Sequence, residues 1–453
     1  MPAIPRSPLT VSIKGSVDIL SPASRCPLEL LPPATYPIVA MTISPPNYDE
    51  ALDVVIRAVK PLSSEQVSLR SALGRVLRSD IVADRDQPPF DRSAMDGFAV
   101  QSLDLVAGQV FSVVGSVAAG ESPLGVTGQQ PSPFSAIRIA TGAAVPKGFD
   151  AVIPIEQSSI DQAENGDQVT FTIDAVDPWA NIHQRGSDAK AGDVVVHSNQ
   201  HLGPHQLGIT ATVGVSEPKV SILPKVTILT TGDEVLPPDT SRDNLAAHLI
   251  RNSNGPMLEA FLDSLGIATQ QRAHVADEPD CLQAAMASAI ASSHLVVTVG
   301  AVSVGQRDWV PHVLEKLGMR VLLHGVAIQP GKPVLFAVGK KTLVVSLPGN
   351  PVSVLATSHL FLWPVIRRMI GLDPGLPWRM VELAEPVSTK ASRQVFRVST
   401  VNSSGLAYVV NWHGSGDLVH TSHADGFVRL PLLEGKASAG TKVPFLPFMG
   451  NKQ

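Results

Sequence analysis

From Lys225 to Ile370 the chain alternates short, β-branched apolar runs with helical segments, and this alternation restricts the fold more than any other feature. Runs at 226–229, 273–275, 294–299, 321–323, 334–337 and 343–347 read as strands. A helix capped by Asn252 or Ser253 runs to Leu265 and stops at Gly266. Others are predicted over 279–293, with Pro279 in the first turn, and over 309–317, closed by Gly318. A long apolar helix follows over 352–370. Near-continuous apolar strands joined through helices predict a mainly parallel sheet covered on both faces. Ligands of such sheets sit outside the carboxyl ends of the strands.

The loops at those ends are therefore the place to look for chemistry. They read T-T-G-D-E at 230–234, A-D-E at 276–278, G-A-V-S-V-G-Q-R-D at 300–308, Q-P-G-K-P at 329–333 and P-G-N-P-V-S at 348–353. Asp233, Glu234, Asp277 and Asp308 offer hard oxygens that suit Mg²⁺. Ser303, Lys332, Asn350 and Ser353 suit an oxyanion. Gly300 and Gly305 let backbone N–H groups converge on an anion. Carboxylates beside an anion cradle are what metal-assisted phosphoryl chemistry requires, since the cation offsets carboxylate–phosphate repulsion. Taken singly, each loop also has a purely structural reading. Asp233, Glu234 and Asp277 serve as helix caps, Lys332 as a solvated lysine, and P-G-N-P as a tight turn. Convergence on one rim favours the chemical reading.

The flanking segments have a different texture. Residues 49–59 have helical spacing and 68–76 look similar. From Asp80 to about Ile173, strands at 111–117, 135–139, 151–155 and 169–173 are broken by Gly, Pro and Asp, which makes a β-rich inserted module. Residues 185–197 are turn-rich and lead into a strand, and 206–213 read as helix. From Trp378 short strands return as a C-terminal β module. Residues 1–45 are rich in Pro and Ser and lack the basic start and apolar core of a secretory signal. They read as a disordered leader, or as a mis-assigned start with Met41 the true one. The expected fold class is multidomain α/β and β. Its parts are a helical linker domain (46–79 and 176–217), a β-rich domain (80–175), an α/β domain (218–372) and a β-barrel-like domain (373–453).

Composition removes several functions. A net charge of −5 leaves no global basic field for nucleic acid, and 5% aromatic content gives few stacking platforms for single strands. Cys26 and Cys281 make neither a disulfide framework nor a zinc site, and they fit a reducing cytosol. No apolar run reaches the roughly 18 residues of a membrane span. In the β-rich module, P-P-F-D-R-S-A-M-D-G-F-A-V at 88–100 places Ser93, Asp96 and Gly97 in a turn. An Asx-type turn explains that stretch equally well. R-I-A-T-G-A-A-V-P-K-G at 138–148, which holds Thr141, has the same ambiguity.

In this order, S-A-M-D-G-F-A-V, T-G-A-A-V-P, R-G-S-D, T-T-G-D-E-V, V-S-V-G-x-x-D, I-Q-P-G-K-P and L-P-G-N-P-V-S resemble the molybdopterin molybdenumtransferase family, which is related to the gephyrin E domain. The resemblance runs from about Pro46 to the C-terminus. It implies an elongated homodimer whose central molybdopterin-binding α/β domain faces the β-rich module of the partner subunit. The implied reaction takes adenylyl-molybdopterin and molybdate to molybdenum-loaded molybdopterin and AMP, with Mg²⁺, in the cytoplasm. By motif, Asp277 and Asp308 would sit at the metal and pyrophosphate, with Asp233 and Glu234 in the same acidic group. Gly300, Ser303 and Gly305 would line the pterin phosphate path. Lys332 and Ser353 would bind molybdate, with Asn350 beside them and Arg397 (or Arg393) and Ser415 completing the pocket. Asp96 and Thr141 would come from the partner subunit. Molybdenum enzymes and an adenylyltransferase are the protein partners such a role brings.

The chain departs from the family pattern at four places. Gly300-Ala301 stands where two glycines are usual, and Gln329 stands where lysine is usual. R-G-S-D replaces R-G-E-D, and F-A replaces Y-A. Ala301 is harmless at negative φ and obstructive at positive φ. Two other functions compete: a non-catalytic pterin-binding or scaffold protein of the gephyrin type, and a molybdopterin adenylyltransferase on the same pterin-binding fold. The retained acids argue against the first, and the flanking β modules and S-A-M-D-G against the second.

Overall fold

The computed structural model describes residues 44–106, 108–123, 131–163, 166–302 and 309–450. Two compact units form, one of Glu65–Val220 and one of the residues up to Ser64 together with Ser221–Gln453.

In the second unit a six-stranded sheet runs in the order Thr269–Val275, Val226–Thr231, Leu295–Val299, Leu343–Leu347, Leu335–Val338, Arg320–His324. The first four strands pair in parallel, and only Leu335–Val338 runs against its neighbours. The expected mainly parallel sheet is present, with one reversed strand near an edge. Strand Leu295–Val299 shows why the runs are nearly all apolar, with Thr298 the one buried hydroxyl in it. Leu295, Val297 and Val299 enter one core with Leu258, Val352 and Phe361, while Val296 enters the opposite core with Met286 and Leu314. Successive side chains point to opposite faces, and both faces are buried, so no position is left for a polar alternation.

Helix Asn254–Ser264 covers one face, and Pro279–Ser292 with Val310–Lys316 covers the other. The helix expected over 352–370 is not uniform: Pro351–Thr357 and Trp363–Met369 are α-helical, joined by the π-helical segment Ser358–Leu362. Pro364 explains the change, because it has no N–H to give the Leu360 carbonyl. That carbonyl accepts instead from the Tyr48 hydroxyl at 3.3 Å. Tyr48 opens helix Tyr48–Ala58, whose first turn is closed by a reciprocal Asn47–Glu50 capping box.

The C-terminal module closes on itself. Gln394–Val401 pairs with both Leu406–Val409 and Gly426–Arg429, and Arg379–Leu383 with Lys442–Pro447 completes the ring. Ile328–Gln329 adds to it in parallel beside Gln394 and Val395. The Q-P-G-K-P loop thus leaves the α/β sheet, touches the barrel and returns.

In Glu65–Val220 the sheet order is Ala151–Pro154, Gly97–Val100, Ser135–Ile139, Val110–Val117, Gly166–Phe171, Ser158–Ala163. Phe98 and Val100 fill one core and Ala99 the other, the same two-sided burial in a smaller sheet. A third cluster joins Leu77 and Ile81 to Val196, Leu202 and Val213. Residues 46–79 divide near Ser64: Tyr48, Ala51 and Val55 pack into the α/β core, whereas Ala72 and Leu77 belong to this cluster. The helix expected over 68–76 is only Leu69–Ala72, ended before Gly74 at φ +74°. Among the described residues no helix is long and apolar enough to cross a membrane.

His359 lies in the π-helical segment, packed against Phe261, Trp363, Phe427 and Phe448. Its Nδ1–H donates to Leu355 O at 2.8 Å, and its Nε2 accepts from Met449 N at 3.0 Å. Burial pushes its pKa from 6.5 down to about 4. The folded state therefore refuses a proton that the unfolded chain accepts. This contribution to stability is complete above pH 6.5 and is lost as the pH falls toward 4. The slope is about 1.4 kcal/mol per pH unit over that window. Urea midpoints of the wild type should fall more steeply between pH 7 and 5 than those of His359→Gln, and equal slopes would contradict this origin.

Candidate active site

Strand direction decides which loops meet. The parallel strands end their carboxyl sides on one edge, and the single reversed strand begins there. The loops after Thr231, Val275, Val299 and Leu347, and the loop between His324 and Leu335, therefore share one rim. Ser303, Gly305 and Asp308 lie outside the described residues.

The acidic end of the rim rests on a polar network that is buried at Thr230 and Asn252 and open at His274. Gly232 turns the chain at φ +128°, and a Cβ there would lie 2.9 Å from the Glu234 carboxylate. The carboxylate of Asp233 accepts the backbone N–H of Asp277 at 3.2 Å. The Oδ1 of Asp277 is buried and has no hydrogen-bond partner among the described residues. A buried carboxylate oxygen without a donor is unfavourable unless a proton or cation meets it. Below, His274 Nε2–H faces Gly232 O at 3.1 Å, and its Nδ1 lies 3.0 Å from Thr230 Oγ1. Asn252 donates to the same hydroxyl at 2.9 Å and accepts Gly255 N at 2.9 Å. Asn252, rather than Ser253, thus caps the following helix. Sequence reasoning passed over Thr230 and His274, whose only signal is a polar residue inside a strand.

Next to it, Gly300 takes φ +94°, and a Cβ there would lie 2.6 Å from Thr231 Oγ1. Ala301 takes φ +53°, the obstructive case. Gly349 packs against the Gly300 Cα, and Asn254 Nδ2 donates to Gly349 O at 2.7 Å, so the glycine loop and P-G-N-P lie side by side.

The basic end is a cavity of about 430 Å³ where the rim meets the barrel. Lys332, Asn350, Ser353 and Ser415 line it together, and so do Gln329, Lys390, Arg393 and Trp412. None of its described lining residues is acidic, so the cations define a pocket for an anion. Asn350 Nδ2 donates to Ser415 Oγ at 2.9 Å, and Val352 N donates to Ser415 O at 3.0 Å, which ties the barrel loop to P-G-N-P. Gln329 Oε1 is buried without a partner among the described residues. Arg397 is not in the lining. It sits over the Trp412 ring at 5.5 Å and donates to Val410 O at 3.2 Å, and burial lowers its pKa. Lys390 escaped sequence reasoning, and its only signal is the nearby Arg393 across a polar turn.

In Glu65–Val220, Asp96 Oδ1 accepts the backbone N–H of Thr141 at 2.7 Å, so these two residues are together and exposed. The close strand approach behind them needs Gly97, where a Cβ would lie 1.9 Å from Ile153 O.

Family models match along the chain: the MoeA N-terminal region (domain I and II) over 46–214, a probable molybdopterin binding domain over 227–368, and the MoeA C-terminal region (domain IV) over 381–448. The molybdopterin molybdenumtransferase of Synechococcus elongatus is 36% identical over 88% of this chain and 98% of its own length. The chain belongs to the molybdopterin molybdenumtransferase family. The Staphylococcus aureus (strain Mu50) member is 32% identical over 84% of this chain and 90% of its own. The crystal structure of the molybdopterin biosynthesis MoeA protein from Pyrococcus horikoshii superposes with a TM-score of 0.76 at 30% identity, covering 89% of this chain and 99% of that one. The chain is thus an enzyme, a transferase of molybdenum cofactor biosynthesis, and the multidomain α/β and β architecture is that of this family.

An alanine in the left-handed region costs about 1–2 kcal/mol, part of which glycine returns through its freer unfolded chain. Ala301→Gly should stabilise the transferase by roughly 0.5–1 kcal/mol. A lower melting temperature for this variant would show that the alanine is not strained.

Proposed function

We propose that this transferase takes adenylyl-molybdopterin and molybdate, releases AMP with Mg²⁺ present, and leaves molybdenum on the pterin dithiolene. The observation that carries the reading is the cavity lined by Lys332, Lys390 and Arg393 with no acid, on the same rim as Asp233, Glu234 and Asp277. Molybdate is a small dianion, and a pocket of cations, a hydroxyl and an amide suits it. The donors at the other end are hard oxygens, and the buried Oδ1 of Asp277, unpartnered among the described residues, fits a cation, so the acidic set suits Mg²⁺. Asp277 and Asp308, with Asp233, would hold it, with Glu234 in the same acidic group by motif. When bound, Mg²⁺ would polarise the phosphate and offset its repulsion from the carboxylates.

The chain's own groups then divide the work. Gly300 receives the pterin phosphate where its positive φ lets the backbone come close, and Ser303 and Gly305 share that role by motif. Lys332 and Arg393 draw in molybdate, while Ser353, Asn350 and Ser415 orient its oxygens. In this reading the enzyme is a cytoplasmic homodimer, and Asp96 and Thr141 reach the site from the partner subunit. The four-part division into 46–79 with 176–217, 80–175, 218–372 and 373–453 belongs to the same reading. Gln329 and the strained Ala301 depart from the family pattern and bear on how tightly this transferase holds molybdate.

Incubation with adenylyl-molybdopterin, Mg²⁺ and molybdate should release AMP only when molybdate is present. Asp308→Asn should stop turnover and leave the circular dichroism spectrum unchanged. Absence of molybdate-dependent AMP would reject the transferase reaction, and adenylate formation from molybdopterin and ATP would favour the adenylyltransferase.

A further inference from the structure

The barrel loop that carries Gly414 and Ser415 into the anion cavity holds a second cluster that the transferase chemistry does not use. His413 Nδ1 lies 3.1 Å and His420 Nδ1 2.8 Å from the Asp417 carboxylate. The same carboxylate accepts the backbone N–H of His413 at 2.9 Å and of His420 at 3.3 Å. The two imidazole rings stand 5.3 Å apart in an edge-to-face arrangement. The Asp417 side chain is only 13% exposed, whereas His413 and His420 are 84% and 50% exposed. The backbone N–H groups and the imidazoles hold its carboxyl well below the usual carboxylate range, so an anion is fixed at the centre of the cluster. Among the described residues its ion-pair partners are these imidazoles, with no Lys or Arg.

We propose that His413, Asp417 and His420 form a binding site for a divalent transition metal of the Zn²⁺ class. The donor set is two imidazoles and a carboxylate, which favours Zn²⁺, Ni²⁺ or Cu²⁺ over Mg²⁺. One ligand atom from each residue lies within 4.8 Å of the others. The nitrogen-to-carboxylate spacings of 3.1 and 2.8 Å are close to the edge of a coordination shell. For metal–ligand bonds of about 2.0–2.1 Å that edge is roughly 2.9–3.4 Å. The exposed His413 can turn to close the remaining gap. Asp417 needs no rearrangement, because two backbone N–H groups already orient it, as outer partners do for metal-bound carboxylates. Three protein ligands on an exposed loop leave coordination positions for water or an anion. The alternative is a loop clip in which the carboxylate merely gathers two imidazoles.

The site shares no residue with the acidic set of Asp233 and Asp277, so it does not depend on the proposed reaction. The test uses the full chain, stripped with chelator and titrated with Zn²⁺ against a chromophoric competitor, and separately with Co²⁺ read by visible absorption. The wild type should bind one Zn²⁺ that His413→Ala/His420→Ala does not, and each single variant should lose at least tenfold in affinity. Co²⁺ should give ligand-field bands that are absent from the double variant. His413 and His420 are exposed, and a retained melting temperature in the variants separates loss of metal from loss of fold. Equal Zn²⁺ binding by wild type and double variant, or no binding by either, would overturn the site.

Discussion

One sheet buried on both faces supports the rim and the site built on it. Because Leu295–Val299 and its neighbours face apolar cores on either side, their polar chemistry has to be displaced to the strand ends. Parallel pairing then collects those ends on one edge, since each strand must return through a helix before starting again. The single reversed strand, Leu335–Val338, adds the Q-P-G-K-P loop to the same edge and brings it against the barrel. The site is a consequence of this pairing pattern.

The rim also keeps its charges apart. Carboxylates gather around Asp233 and Asp277, over the polar network of Thr230, His274 and Asn252. Lys332, Lys390 and Arg393 gather at the barrel side, with the glycine loop and P-G-N-P between the two groups. Intermingled, these groups would pair and neutralise one another. Held apart, one end is suited to a cation and the other to an oxyanion, and a substrate with a phosphate can lie across both. Gln329 makes the basic end less positive than lysine would, yet leaves a buried amide oxygen without a partner among the described residues.

The sheet was legible because most of its strands are short, β-branched runs, and burial of the central ones on both faces leaves no competing pattern. The rim loops followed from strand direction alone. Other features depended on contacts that no local pattern encodes. The π-helical segment follows from Pro364 meeting the Leu360 carbonyl, and its compensation comes from Tyr48, far away in sequence. The parting of 46–79 near Ser64 depends on which core Tyr48 joins. Lys390 becomes a cavity residue only once the barrel is folded against P-G-N-P. Conversely, the sequence alone raised the question of the backbone at Ala301, and only the structure could answer it, at φ +53°.

The central claim is that the two ends of the rim bind different parts of the reaction. Calorimetric titration of molybdate into the full chain tests this directly, using the wild type, Lys332→Ala and Asp277→Asn. Lys332→Ala should weaken molybdate binding at least tenfold, and Asp277→Asn should leave it within about twofold, a difference of roughly 1 kcal/mol or more. Equal losses in the two variants, or none in Lys332→Ala, would contradict the division.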